Sequence, residues 1–189
     1  MSYSIAPIER AAQSSVPRGN ERIYTLVILV DDRPGAVDRV VGLLRRRLAS
    51  TQTLALVGSE LTGVIRVTAQ VTDSHVAVNH LLEQLRKLVD VRQAEHITQQ
   101  QSVMRELALI KINSSVTTRN EIIERGRLFG AHVIDNTPDT VLLEMTASKE
   151  KVDELITLLK QYGICELARS GNIAIARQSS ADMEEEISL

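Results

Sequence analysis

Residues 23–48 read IYTLVILVDDRPGAVDRVVGLLRRRL. The first eight, Ile23 to Val30, carry no charge and are rich in β-branched side chains, which predicts a buried strand. Asp31-Asp32-Arg33-Pro34-Gly35 breaks that run, and Val37, Val40, Val41, Leu44 and Leu48 then recur at steps of three and four, the mark of a helix with one buried face. Pro34 suits the first turn of that helix, where a missing N–H is no loss. Gly35 lets a ligand approach the backbone with no Cβ in the way. The free amides of the first turn point over the loop, and the helix dipole favours a carboxylate there. A strand, a Pro-Gly elbow and an open helix start make a seat for a free amino acid.

Working outward, the first half continues with strands at 53–57 and 64–71 around Leu61-Thr62-Gly63, a helix from Ser74 with the apolar stripe Val78, Leu81, Leu82, Leu85 and Leu88, and a strand at 89–94. The pattern then repeats. Leu107 to Ile112 is a strand; Thr118 with Glu121 three positions on is a capping-box signature for a helix faced by Ile122, Ile123 and Phe129. Gly126 within it weakens that helix by about 1 kcal/mol relative to alanine. A hairpin joins 131–135 to 141–146, Ser148 caps a helix carrying Val152, Leu155, Ile156 and Leu159, Gly163 ends it, and 164–168 closes the unit, with 173–176 as an extension of the sheet. Each half is a split βαβ arrangement with both helices on one face of an antiparallel sheet. The fold class is α+β: two tandem ferredoxin-like βαββαβ units, at 22–97 and 105–177, joined by a polar linker at 98–104. The ends, 1–21 and 178–189, read as a disordered extension and an acidic disordered tail. Val/Ile/Leu-rich strands with one uncovered face predict at least a homodimer.

Composition excludes several classes. A net charge of −2 gives no electrostatic case for nucleic acid or an anionic membrane. Base stacking needs aromatic side chains on a sheet, and only Tyr3, Tyr24, Phe129 and Tyr162 are available, on scattered elements. No apolar run approaches the roughly 20 residues that cross a bilayer. Met1 to Asn20 lacks the apolar core of a secretory signal, so the expected location is cytoplasmic. The one cysteine, Cys165, reads as a buried strand thiol. The four histidines are scattered and no His/Cys group has metal spacing, so no metal site is expected. Gly58-Ser59-Glu60-Leu61-Thr62-Gly63 has the glycines of a phosphate loop, but Val64 stands where lysine is required.

The elbow motif, Asp-x-Pro-Gly-x-x-x-Arg-Val-x-Gly-Leu-x-x-Arg-Arg, resembles the first ACT domain of the regulatory (small) subunits of acetolactate synthase, also called acetohydroxyacid synthase. Three later stretches agree in order: Gln84 to Val91, Arg105 to Ile112, and Ile164 to Gly171. The resemblance spans about Arg22 to Arg177 and implies an N-terminal ACT domain with an ACT-like C-terminal domain. It implies a non-catalytic subunit that binds and activates the catalytic (large) subunit, dimerises through its ACT domains, and mediates feedback by a branched-chain amino acid, chiefly valine. Thiamine diphosphate and Mg would belong to the catalytic partner; no glycine here is followed by the aspartate of that partner's metal motif, and no cofactor is expected in this chain. The alternative is a stand-alone amino-acid-sensing ACT protein acting on another enzyme or a transcription factor.

The implied effector site is Asp32, Pro34, Gly35, Ala36, Val37 and Ser50; no residue is expected to be catalytic. Arg45, Arg46 and Arg47 read either as a solvated helix end that offsets the dipole or as a contact with the partner. The family places asparagine at Asp32, and Gly-aromatic-Asn-Ile where this chain has Leu48-Ala49-Ser50-Thr51. Asparagine offers a donor and an acceptor to a zwitterion; aspartate accepts from the ammonium and repels the carboxylate. The expectation is weakened valine feedback. Equally, Asp32 fits as the N-cap of the helix.

Overall fold

The run that ends at Val30 becomes strand β1 (Arg22–Asp31) in a computed structural model, which describes residues 22–47, 51–97 and 102–177. The first unit continues with α1 (Ala36–Arg47), β2 (Thr51–Gly58), β3 (Val64–Asp73), α2 (His75–Arg86) and β4 (Val91–Ile97). The second comprises β5 (Ser102–Asn113), α3 (Arg119–Phe129), β6 (His132–Asn136), β7 (Thr140–Ala147), α4 (Lys149–Leu159), a 3₁₀ turn at Lys160–Tyr162, β8 (Ile164–Arg169) and β9 (Ile173–Ala176). Both sheets are antiparallel, ordered β2-β3-β1-β4 and β6-β7-β5-β8. These are two ferredoxin-like units in series, an α+β architecture, as the repeated pattern predicts. The expected extension at 1–21 and tail at 178–189 lie outside the described residues.

The period-two alternation of β1 sends Leu26, Ile28 and Val30 to one face, where they meet Val40 and Leu44 of α1 and Val78, Leu81, Leu82 and Leu85 of α2. In the second unit Ile110, Ile112, Leu143 and Met145 pack under Ile122, Val152, Leu155 and Leu159. Each such side chain contributes about 1.5–3 kcal/mol by leaving water.

Two caps differ from expectation. Thr118 makes no side-chain bond into α3. Its hydroxyl accepts from the Ser115 amide at 2.9 Å, while Glu121 is drawn to Arg125 instead of back to the cap. Ser115 does the capping work, accepting from Thr118 N–H through its hydroxyl and from Arg119 N–H through its carbonyl. Ser148 stands at the N-cap of α4 but gives its amides no side-chain bond, whereas Ser74 accepts from Ala77 N–H at 3.3 Å in the first unit.

Gly126 has a packing reason for its place in α3: a Cβ there would lie 2.9 Å from Leu143 Cδ1 on β7. Glycine lets α3 approach the sheet. Gly126→Ala regains about 1 kcal/mol of helix preference while displacing only a side-chain end, so its net effect is expected to be small. Gly126→Val is expected to cost about 1–3 kcal/mol by overpacking, seen as a fall in Tm of several degrees.

Strand β5 begins at Ser102, so the last three residues of the stretch read as linker, 98–104, belong to the sheet. Beyond β8 the chain turns at Ser170-Gly171-Asn172 and keeps following the same edge of β5 as β9, pairing Arg105 with Ile173 and Ser102 with Ala176. This two-stranded ribbon lies on the face of the first sheet opposite its helices. Met104 and Ala174 pack against Val27 and Ile97, Arg66 donates to the Ala174 carbonyl at 3.0 Å, and Thr25 Oγ1 donates to Met104 Sδ at 3.6 Å. That face is rich in threonine, and Thr25, Thr68, Gln70 and Thr72 are buried. The exposed Val/Ile/Leu face on which the homodimer expectation rested is therefore absent from the first sheet. Its threonines and glutamine alternate with the inward-facing Val67, Ala69 and Val71, and the chain's own second unit covers them.

A chain of ion pairs stiffens the second unit. Arg169 on β8 bonds the buried Glu106 carboxylate and reaches Asp153 Oδ1 at 2.6 Å; Lys149 meets Asp153 Oδ2 at 2.9 Å. Burial pushes the Asp153 carboxyl up, but hydrogen bonds from Lys149 and Arg169 outweigh it and hold the group below the usual carboxylate range.

Candidate effector-binding elbow

The elbow is a turn before it is a helix. Ala36 N–H donates to Arg33 C=O at 3.1 Å, and Gly35 has φ +77°. Proline followed by a left-handed glycine is the signature of a type II turn. Pro34 is thus at the second position of that turn, not in the first turn of α1 as expected. The Gly35 carbonyl accepts from Arg39 N–H at 3.1 Å, the bond that opens the helix, so Gly35 is the cap. Asp32 does not cap α1. Its backbone N–H is used by the Gly63 carbonyl at 2.9 Å, which fastens the elbow to the β2–β3 hairpin, and its carboxylate is exposed with no ion pair.

The remaining expected residues are not equally placed. Ala36 is buried in the core and its N–H is spent on the turn. Val37 is half-buried at the mouth. The amides of Val37 and Asp38 find no acceptor outside the helix, which leaves two donors aimed over Gly35, as an anion would require. Ser50 lies outside the described residues, as does the Arg47 side chain. Arg45 and Arg46 are exposed and form no ion pair among the described residues. Asp32, Pro34 and Gly35 are adjacent at one surface; Arg45 and Arg46 stand near the other end of α1.

One residue was missed from sequence. Arg39 bonds the buried Asp90 carboxylate, with Nε at 2.9 Å from Oδ2. A Cβ on Gly35 would lie 3.3 Å from Arg39 Nη1, so the guanidinium is directly beside the elbow. Asp90 in turn gives its backbone carbonyl to Asp31 N–H at 2.8 Å. Arg92 pairs with Asp31, and Arg33 lies 3.6 Å from the same carboxylate. The elbow is ringed by three guanidiniums, and Asp32 is a carboxylate among them that lacks a partner.

This geometry can be set beside known proteins. A family model described as the AHAS small subunit-like ACT domain matches residues 26–93, and one described as the small subunit of acetolactate synthase matches residues 105–178. The acetolactate synthase small subunit of Mycolicibacterium smegmatis is 38% identical over 154 residues, covering 82% of this chain and 91% of that one. The chain belongs to the acetolactate synthase small-subunit family. The small subunit of Bacillus subtilis is 38% identical, with 89% of this chain and 99% of the relative covered. Against the chloroplastic small subunit 2 of Arabidopsis thaliana, 35% identical over 85% of this chain, the match spans 34% of the relative's length. The crystal structure of the Thermotoga maritima small subunit superposes with a TM-score of 0.78 at 29% identity, covering 84% of this chain and 99% of that one. The first sheet with its elbow is thus the ACT domain of the family, and the second unit is its C-terminal domain.

Proposed function

We propose that this chain is a regulatory subunit that docks on the catalytic subunit of acetolactate synthase, raises its activity, and carries feedback by valine in branched-chain amino acid biosynthesis, with the feedback weakened by Asp32. The observation that supports this reading is the type II turn at the end of β1, which presents the free amides of Val37 and Asp38 beside an open surface in a chain of the small-subunit family. An effector carboxylate meets those amides; its ammonium meets Asp32. Asp38, acidic in the first turn of α1, competes with the carboxylate and, like Asp32, lowers affinity. Effector and catalytic chain are coupled only so far as valine binds two states of the assembly with different affinity.

The elbow is exposed in the single chain, so a second copy must close over it. Strand β2 is paired on one side only, by β3, and carries exposed Leu56 and Val57. An unpaired, apolar edge is a template for another strand, and we place the homodimer contact there. Thiamine diphosphate and Mg belong to the catalytic partner, and the assembly works in the cytoplasm.

The test is to mix the purified full chain with a purified acetolactate synthase catalytic subunit and to assay acetolactate with and without valine, leucine and isoleucine. The expected result is co-elution and a several-fold rise in rate, with valine acting well above micromolar concentration. An unchanged rate without co-elution would overturn the reading.

A further inference from the structure

A second polar site lies between the two units, away from the elbow. A cavity of about 220 Å³ is enclosed by Gln70 on the first sheet, the leading residues of β5, the start of α4, and Asn172 before β9. Gln70 and Asn172 are 5% and 2% exposed, and Gln70 Oε1 and Asn172 Oδ1 are fully buried with no hydrogen-bond partner. Leaving such acceptors dry costs about 1–3 kcal/mol each. Two of them on one wall indicate a site built for something that donates.

The opposite features of the same wall suit an anion. Lys149 opens α4, whose first-turn amides receive no bond from the Ser148 hydroxyl. Arg105 and Arg177 also line the space, and each spends one N–H on a backbone carbonyl, of Met104 at 2.7 Å and of Ser102 at 3.4 Å, without a carboxylate partner. Lys149 is shared with Asp153, and Glu150 is the one acid on the wall, so the lining is net positive. Water alone could satisfy two amide oxygens, but it gives no reason for three cations around a helix start.

We propose that this cavity binds a small hydroxy- or amino-carboxylate, its carboxylate at the first turn of α4 and the Arg105 and Lys149 side chains, its hydroxyl or ammonium donating to Gln70 and Asn172. The volume sits below the roughly 300 Å³ at which drug-sized pockets begin, which restricts the ligand to that size class. Because the walls come from both units, occupancy fixes the β5–β9 ribbon, the first sheet and α4 to one another. The site is independent of the elbow.

The test is NMR titration of the full-length, ¹⁵N-labelled chain with L-serine, L-lactate and acetate. L-Serine or L-lactate is expected to give saturable shifts of the Gln70 and Asn172 side-chain amide signals and of the Lys149 and Glu150 backbone amides. Acetate, which has no donor for the amide oxygens, is expected to bind about tenfold or more weakly. Arg105→Glu, at an exposed position, is expected to weaken binding by about tenfold or more while leaving the rest of the spectrum in place. No saturable shift with either ligand at millimolar concentration would overturn the proposal, as would binding that Arg105→Glu leaves unchanged. Shifts confined to residues 35–38 would overturn it too, because the ligand would then occupy only the elbow.

Discussion

Asp32→Asn is expected to tighten valine binding by about 5- to 150-fold, the equivalent of one polar mismatch of about 1–3 kcal/mol removed from an amino-acid site. The carboxylate of Asp32 is exposed and unpaired beside the two open amides of α1. It attracts the effector's ammonium but repels its carboxylate, and the repulsion grows when a second subunit excludes water. Asparagine keeps the acceptor and adds a donor. The substitution removes no ion pair and no cap, so the fold is expected to be unaffected. Calorimetry with valine on both proteins measures the difference. Equal affinities, or a variant that binds more weakly, would show that Asp32 does not face the ligand.

Arg39→Ala is expected to have the largest effect on the elbow itself. It strands the Asp90 carboxylate, which is 5% exposed. Breaking a fully buried pair costs about 3–5 kcal/mol. The Arg39 side chain is 48% exposed, so solvent recovers part of this, and about 2–3 kcal/mol is expected. For a chain of this length that is a drop in Tm of about 5–10 °C. The damage should extend to regulation, since Asp90 holds Asp31 by its carbonyl and Arg39 flanks Gly35. Adding Asp90→Asn removes the stranded charge and is expected to restore most of the stability but not the valine response. Recovery of both would mean that Arg39 serves the fold alone. Thermal melts and inhibition curves on the single and double variants separate the two roles.

The elements were legible wherever one face of the chain is apolar. Val78, Leu81, Leu82 and Leu85 follow helical spacing and are all buried, and the alternation along β1 marks its two faces. Asp32 and Gly35 could be read as elbow residues because their neighbours in sequence are their neighbours in space. Arg39 could not: as one charge on an amphipathic helix it looks solvated, and its partner is 51 residues away. The caps at Thr118 and Ser148 failed for a different reason, since a hydroxyl at the right position still chooses among several backbone partners. The ribbon of β5 and β9 was half visible. Ile173 to Ala176 reads as a strand, but that Ser102 to Arg105 extend β5 to meet it depends on a ladder formed between distant segments.

That ribbon bears on how the molecule can be dissected. A protein ended at residue 97 would keep every strand and helix of the ACT half, yet uncover Thr25, Val27, Thr68, Gln70 and Thr72 at once, and lose the Arg66 bond to Ala174. Such a fragment is not a smaller copy of the sensor. Its newly wetted side would seek a substitute partner, so any affinity or oligomeric state measured on it would belong to the cut surface and not to the intact subunit.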